Sequence, residues 1–162
     1  MIHHVLVATD DSENAERAVR FSAQVADRRQ QAEVTVVYVH LRLTHAPLGA
    51  AALTPENPLQ MSPLGMEMEA AATPEELAHA QAIVDRAEAE VRSLVTSPDV
   101  TVTGRVVESS RVDEGILQVA EETKADIIVV GTRGLSPLRG AIMGSVSHSL
   151  IEKATCPVLV VK

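Results

Sequence analysis

Hydrophobic positions along the chain fall into two alternating kinds of block. Short apolar runs rich in β-branched residues recur at 2–9 (IHHVLVAT), 33–41 (EVTVVYVHL), 100–108 (VTVTGRVVE), 125–131 (ADIIVVG) and 157–161 (PVLVV). Runs of that length bounded by turn-forming residues predict strands. Between them, apolar residues recur at three- and four-residue spacing, as on a helix with one buried face. The first such helix starts after Asp10-Asp11-Ser12, with Ser12 as its cap and Glu13 at the positive end of the dipole. It runs to about Arg29, with Ala15, Ala18, Val19, Ser22, Val25 and Ala26 on one face. The second opens on Thr73-Pro74-Glu75-Glu76, a capping box with proline in the first helical position, and turns Leu77, Ile83, Val84, Val91, Leu94 and Val95 inward. A third, 112–123, has Val112, Ile116, Leu117 and Ala120 inward, and a fourth, 144–154, has Val146, Leu150, Ile151 and Ala154 inward.

Strands alternating with helices predict an α/β fold: an open, five-stranded parallel sheet with helices on both faces, Rossmann-like in architecture. Residues 1–162 read as one domain, with neither a repeat nor a second unit. Residues 42–72 break the rhythm. They hold Pro47, Pro55, Pro58 and Pro63 and the methionines Met61, Met66 and Met68, without a clear period. That is long for a connection inside a compact domain, so it is expected to be a flexible insertion. Its methionines suit either a flap over a site or partner, or a solvated loop.

Composition sharpens this picture. Hydrophobic residues make up 46% of the chain, but its only aromatics are Phe21 and Tyr38. The core is therefore Val, Ile, Leu and Ala, as in parallel sheets buried on both faces. A formal charge of −8 argues against nucleic acid or an acidic membrane surface as a partner. No apolar run is long enough to span a bilayer, and MIHHVLVATDD lacks the features of a signal peptide. With a single cysteine, Cys156, the chain has no disulfide framework. The expectation is a soluble cytoplasmic protein in which Cys156 is a small buried hydrophobe.

In open α/β sheets ligands bind beyond the carboxyl ends of the strands, where the strand order reverses. Two strand ends carry candidate chemistry. One is Ala8-Thr9-Asp10-Asp11-Ser12. The other is GTRGLSPLRGAIMGSVSHSL, 131–150, which contains Gly131, Gly134, Gly140 and Gly144, half of the chain's eight glycines. Arg133 and Arg139 lie in this loop, which has no acid, and Gly144-Ser145 opens the last helix. A helix N-terminus offers unpaired N–H groups and partial positive charge to a phosphate, and Ser145 and Ser147 add hydroxyls. The loop is neither a P-loop, lacking the Lys-Ser/Thr pair, nor a dinucleotide fingerprint, which follows the first strand. On residue types alone, glycines that shape a loop and a serine that caps a helix explain the stretch equally well. Gly140 has no separate role.

The spacing Gly131-x-x-Gly134, nine residues, Gly144-Ser145 resembles the nucleotide-binding signature of the universal stress protein family. DIIVVGTRG before it, SVSHSLIEKATCPVLVV after it and VLVATDDSENAERAV at the start extend the likeness over nearly the whole chain except 42–72. The resemblance implies an adenine-nucleotide α-hydrolase-like fold with strand order 3-2-1-4-5, ATP as ligand and a nucleotide-dependent regulatory role in stress. It places Asp10 beside the adenosine, with Ala8 and Thr9 at the same end and Val39 offering its backbone to the adenine. Gly131, Thr132, Arg133 and Gly134 would wrap the ribose and phosphates. Gly144, Ser145, Val146 and Ser147 would hold the phosphates. Asp11 stands where many relatives have glycine and brings a second negative charge. The resemblance also implies a homodimer through the last strand, Val158, Leu159, Val160 and Val161. That agrees with the physical liability of an unpaired sheet edge guarded only by Lys162.

The other readings are weaker. Among six histidines, His3 and His4 point to opposite faces of a strand, and His40 and His45 have no Cys or acid at ligand spacing, so no metal site is read from protein side chains. A divalent ion, Mg2+ or Mn2+, would arrive with ATP and be held by its phosphates. Asp10-Asp11 has no nucleophile–base motif beside it, so binding is favoured over catalysis and no catalytic residue is assigned. The alternatives are a slow ATPase or autophosphorylating enzyme, with Ser136, Ser145 and Ser147 as acceptors, and an interaction module acting through 42–72 with an unknown protein partner.

Overall fold

A computed structural model of the chain describes residues 2–27, 31–42, 44–45, 68–69, 72–132 and 143–162. The elements follow in the order β1 (His4–Ala8), α1 (Glu13–Asp27), β2 (Glu33–Leu41), β3 (Thr44–His45), β4 (Met68–Glu69), α2 (Pro74–Leu94), β5 (Thr101–Ser109), α3 (Val112–Thr123), β6 (Ile127–Gly131), α4 (Ser145–Lys153) and β7 (Val158–Val161). The five long strands form one parallel sheet, ordered β5-β2-β1-β6-β7. Counting only those five, this is the expected 3-2-1-4-5. The strand order reverses between β1 and β6, so the crevice beyond their carboxyl ends is the place for a ligand.

Alternation along each strand divides the core into two layers. Val5 and Val7 of β1, Val34 and Val36 of β2 and Val129 of β6 pack with Ala18, Val19 and Ala26 of α1 and Ala87 and Val91 of α2. Leu6, Val37, Val39, Ile128 and Val130 face the other way, against Ile116, Val119 and Ala120 of α3 and Leu150 of α4. The three inner strands β1, β2 and β6 are thus covered on both sides, which is why their sequences are near-continuous apolar runs, whereas the edge strand β5 alternates exposed Thr101 and Thr103 with buried Val102.

The helix signals in the sequence have physical counterparts. Ser12 Oγ accepts from the Ala15 N–H at 3.3 Å, capping α1. Thr73 Oγ1 accepts from the Glu76 N–H at 3.2 Å while Glu76 accepts from the Thr73 N–H at 2.8 Å, closing the capping box. Some inward assignments fail. Leu77 and Leu94, at the two ends of α2, are exposed, and Ala80 and Ala87 fill the stripe instead. Ile151 of α4 is 48% exposed. Ser145 is the first residue of α4 and Gly144 is its cap. Cys156 is only partly buried; burial pushes its thiol up. His4 is a structural histidine, its Nε2 2.8 Å from Thr35 Oγ1.

The insertion is closed at its base by an antiparallel ribbon, β3 against β4, pairing Thr44 with Glu69 and His45 with Met68. Residues 46–67, with Met61, Met66 and all four of the insertion's prolines, lie outside the described residues. No helix among the described residues is long and apolar enough to cross a membrane.

Candidate functional site

The floor of the crevice is set by hydrogen bonds at the strand ends. β1 pairs with β2 as far as Ala8 opposite Val37, and the Thr9 N–H adds one more bond, to the Val37 carbonyl at 2.9 Å. Beyond that point β1 turns away while β2 continues to Leu41. A residue's N–H and C=O leave a strand on the same side, and the sides alternate. Val39 therefore points its backbone groups the same way as Val37, past the end of β1. Its side chain is buried against Gly115 of α3, where a Cβ would come within 2.7 Å of Val39 Cγ1. Val39 is thus fixed by its side chain and presents its backbone to the gap.

The turn after β1 is built from its own polar groups. Asp10 Oδ1 accepts from Ser12 Oγ at 2.6 Å and from the Ser12 N–H at 3.2 Å. Ser12 in turn caps α1, so the Asp10 carboxylate is tied to the helix start. Asp11 has φ 65°, the left-handed region that favours glycine. Its N–H reaches Thr9 Oγ1 at 3.3 Å, and its carboxylate is ion-paired with Arg86 of α2. The second negative charge therefore has a cationic partner from another element, one the sequence pattern did not suggest. Tyr38 lies close by: burial pushes its phenol up, and the charges of Asp10 and Asp11 push it the same way.

Across the crevice, β6 runs into the glycine-rich loop. Gly131 has no room for a side chain. A Cβ there would lie 2.7 Å from the backbone carbon and 2.8 Å from the carbonyl oxygen of Asn14, in the first turn of α1. Its smallness thus serves the close approach of α1 and β6. Thr132, buried, donates its N–H to Val161 at 2.8 Å, and its carbonyl accepts from the Gly144 N–H at 2.7 Å. The loop therefore leaves and re-enters the fold at one place. Residues 133–142, including Arg133, Gly134, Ser136, Arg139 and Gly140, lie outside the described residues.

α4 begins at that stitch. Helix geometry leaves the N–H groups of Ser145, Val146 and Ser147 without intrahelical acceptors; the first helical bond runs from His148 to the Gly144 carbonyl at 3.0 Å. Gly144 supplies no side-chain cap, and no acid stands in the first turn. The other three helices each carry acids there: Glu13 and Glu16, Glu75 and Glu76, Asp113 and Glu114. The start of α4 is thus the one helix N-terminus among those described that keeps its partial positive charge uncompensated by its own first turn. Gly144 has φ −73° and ψ 156°, open to any residue, so backbone strain does not demand glycine there. The Ser147 hydroxyl is turned inward and donates to the Gly131 carbonyl at 2.8 Å, so Ser147 faces the crevice end through its backbone N–H.

One buried charge escaped sequence reading. Asp113, in the first turn of α3, is 4% exposed. Its Oδ2 accepts from Ser149 Oγ at 2.6 Å, Arg111 at 3.0 Å and Lys153 Nζ at 3.0 Å. Burial alone would push this carboxyl up, but the donors from Arg111, Ser149 and Lys153 outweigh it and hold the group well below the usual carboxylate range. No group of three or more His, Cys, Asp or Glu is placed to hold a metal among the described residues.

Comparison with known proteins gives a consistent result. The universal stress protein family model matches residues 1–162. Universal stress protein YxiE of Bacillus subtilis is 49% identical over 47 residues, which cover 29% of this chain and 32% of that protein. The chain thus aligns with about a third of the length of such locally similar relatives. Universal stress protein Rv1636 of Mycobacterium tuberculosis is 28% identical over 157 residues, 97% of this chain and 94% of that one. Among solved structures, a universal stress protein from Archaeoglobus fulgidus in complex with dAMP superposes with TM-score 0.65 at 21% identity, covering 100% of this chain and 98% of that one. A universal stress protein in complex with cAMP gives TM-score 0.65 at 22% identity, covering 99% and 96%. These structural likenesses concern the fold.

Proposed function

The chain belongs to the universal stress protein family, and from that premise we propose that it binds an adenine nucleotide, ATP, in the crevice between β1 and β6 and acts as a nucleotide-dependent regulatory protein in stress. The observation that carries the reading is the start of α4. Its N–H groups have no side-chain cap and no acidic neighbour in the first turn, and they open where Thr132 and Gly144 are stitched together. That arrangement suits phosphate oxygens. A glycine at 144, where the backbone does not require one, leaves room for a phosphate to approach the main chain. The dAMP and cAMP complexes of two proteins with the same fold support an adenine nucleotide as the ligand class.

In this reading the Asp10 carboxylate accepts from a ribose hydroxyl or the base, with Ala8 and Thr9 beside it. The Val39 backbone contacts the adenine. Gly131, Thr132, Arg133 and Gly134 enclose the ribose and phosphates, and Gly144, Ser145, Val146 and Ser147 hold the phosphates. A divalent ion, Mg2+ or Mn2+, would be carried by the phosphates. The same reading includes a two-fold dimer formed through β7, a sheet edge whose four valine and leucine residues are all half-buried.

The test is calorimetric titration of the full chain with ATP. Wild type is expected to bind. Gly144→Ala and Asp10→Ala are each expected to lose at least about tenfold in affinity, the equivalent of one charge-assisted hydrogen bond, with unchanged circular dichroism. Wild-type affinity in both variants refutes the assignment of the site.

A further inference from the structure

We infer that Asp113 is a positioning residue for the phosphate end of the nucleotide, acting through α4; the inference rests on the nucleotide reading above. α4 has nine residues, of which only Ser147 and Leu150 are fully buried. A helix this short does not hold itself in water, so its direction comes from tertiary contacts. Three fix it. The Ser147 hydroxyl ties its first turn to the Gly131 carbonyl at 2.8 Å. Leu150 inserts in the core layer beneath α3 and β6. Asp113 grips its fifth and ninth residues, Ser149 at 2.6 Å and Lys153 at 3.0 Å, through one carboxylate oxygen.

The grip is itself rigidly based. Asp113 stands in the first turn of α3, where the helix dipole favours a carboxylate, and the α3 cap residue Arg111 donates to the same oxygen at 3.0 Å. Ser149 and Lys153 are four residues apart and so share one face of α4, which Asp113 clamps over a full turn. The first turn of α4, with the N–H groups of Ser145, Val146 and Ser147, projects beyond this clamp. A small rotation about Leu150 would swing those N–H groups away from the phosphates. Binding directed by N–H groups falls steeply with misalignment.

Positioning and charge make opposite predictions. Replacing Asp113 by Asn removes a negative charge, which by long-range electrostatics alone would tighten binding of an anion slightly. Loosening α4 would weaken it. The experiment titrates ATP into full-length wild type, Asp113→Asn and Ser149→Ala, with adenosine measured by competition. Hydrogen exchange is followed in the same ligand-free proteins. ATP affinity is expected to fall about tenfold in Asp113→Asn and about threefold in Ser149→Ala, while adenosine affinity stays unchanged. Amides of α4 are expected to exchange faster in both variants, with β1 and β2 unaffected. Unchanged or tighter ATP binding in Asp113→Asn overturns the inference, and so does an equal loss for ATP and adenosine, which would report general destabilisation. If Asp113→Asn does not fold, Ser149→Ala decides by the same criteria. Failure of wild type to bind either ligand overturns the nucleotide reading and this inference with it, whereas wild-type binding with unaffected variants overturns the inference alone.

Discussion

At the scale of single residues, two positions in the crevice that read alike in the sequence differ in physical origin. Gly131 and Gly144 both belong to the glycine-rich stretch. Gly144 has an unstrained backbone at a helix start, so the backbone itself does not require glycine there; in the proposed nucleotide site it leaves room for the phosphates. Gly131 is wedged against the first turn of α1, where an added Cβ would meet Asn14 backbone atoms at 2.7 and 2.8 Å. Main-chain atoms in a helix turn cannot rotate away as a side chain can. Gly131→Ala is therefore expected to destabilise the fold by about 2 kcal/mol, the usual penalty of overpacking, read as a lower urea midpoint with unchanged slope. Because the displaced turn carries Ser12, and Ser12 holds Asp10 at 2.6 Å, nucleotide affinity should fall with it. A variant as stable as wild type would mean that α1 moves off β6 at no cost. Asp11 is the reverse case, a side chain where the backbone asks for glycine, retained with an ion pair to Arg86.

At the scale of elements, the strands and helix starts were legible because their signals are local. Runs such as ADIIVVG, the Ser12 cap and the Thr73–Glu76 box each act within a few residues. Leu77, Leu94 and Ile151 were misplaced because periodicity gives the side of a helix but not how far its neighbours extend beneath it. Arg86 and Asp113 left no signal at all: Arg86 meets Asp11 across 75 residues, and Asp113 meets Ser149 and Lys153 across 36 and 40. Such pairs exist only once the topology has brought their elements together. The sheet edge is a further element-scale case. The Ile128 N–H bonds to the Pro157 carbonyl at 3.0 Å and the Thr132 N–H to the Val161 carbonyl at 2.8 Å. Residues 157, 159 and 161 therefore turn their backbone groups toward β6, while Val158 and Val160 turn theirs outward. Within β7 those two are the residues that can hydrogen-bond to a second copy; Leu159 and Val161 contribute side chains. Val160→Pro removes an outward N–H and leaves the pairing with β6 intact. Light scattering at micromolar concentration is expected to find wild type dimeric and Val160→Pro monomeric. A monomeric wild type, or a dimeric proline variant, would rule out pairing through this edge.

At the scale of the whole molecule, charge sets how the fold responds to acid. The chain carries 22 acids against 14 Lys and Arg, so lowering the pH from neutral toward the isoelectric region relieves self-repulsion and favours the compact state. Several carboxylates oppose further acidification because they are bonded in the fold. Asp27 is held low by the N–H groups of Ser97 and Thr96, fixing the end of α1 to the segment before β5. Asp126 is held low by the His3 and His4 N–H groups, joining the start of β6 to that of β1. Glu76 is held low by Thr73, and Glu122 by Gln118 and Arg105. These four sit at the surface, where each contributes little. Asp113 is the buried member of the set, and its three donors make it the strongest. A carboxylate whose pKa is lower folded than unfolded stabilises the fold fully above its unfolded pKa, near 4. That stabilisation is lost as the pH falls through the folded value, since the unfolded chain then binds more protons. The urea midpoint is therefore expected to be highest at about pH 5–6 and to fall steeply below about pH 4. In Asp113→Asn the acid limb should be shallower, because the strongest of these groups no longer titrates. A midpoint that keeps rising to pH 3, or an acid limb unchanged in the variant, would show that charge repulsion rather than these bonded carboxylates governs acid stability.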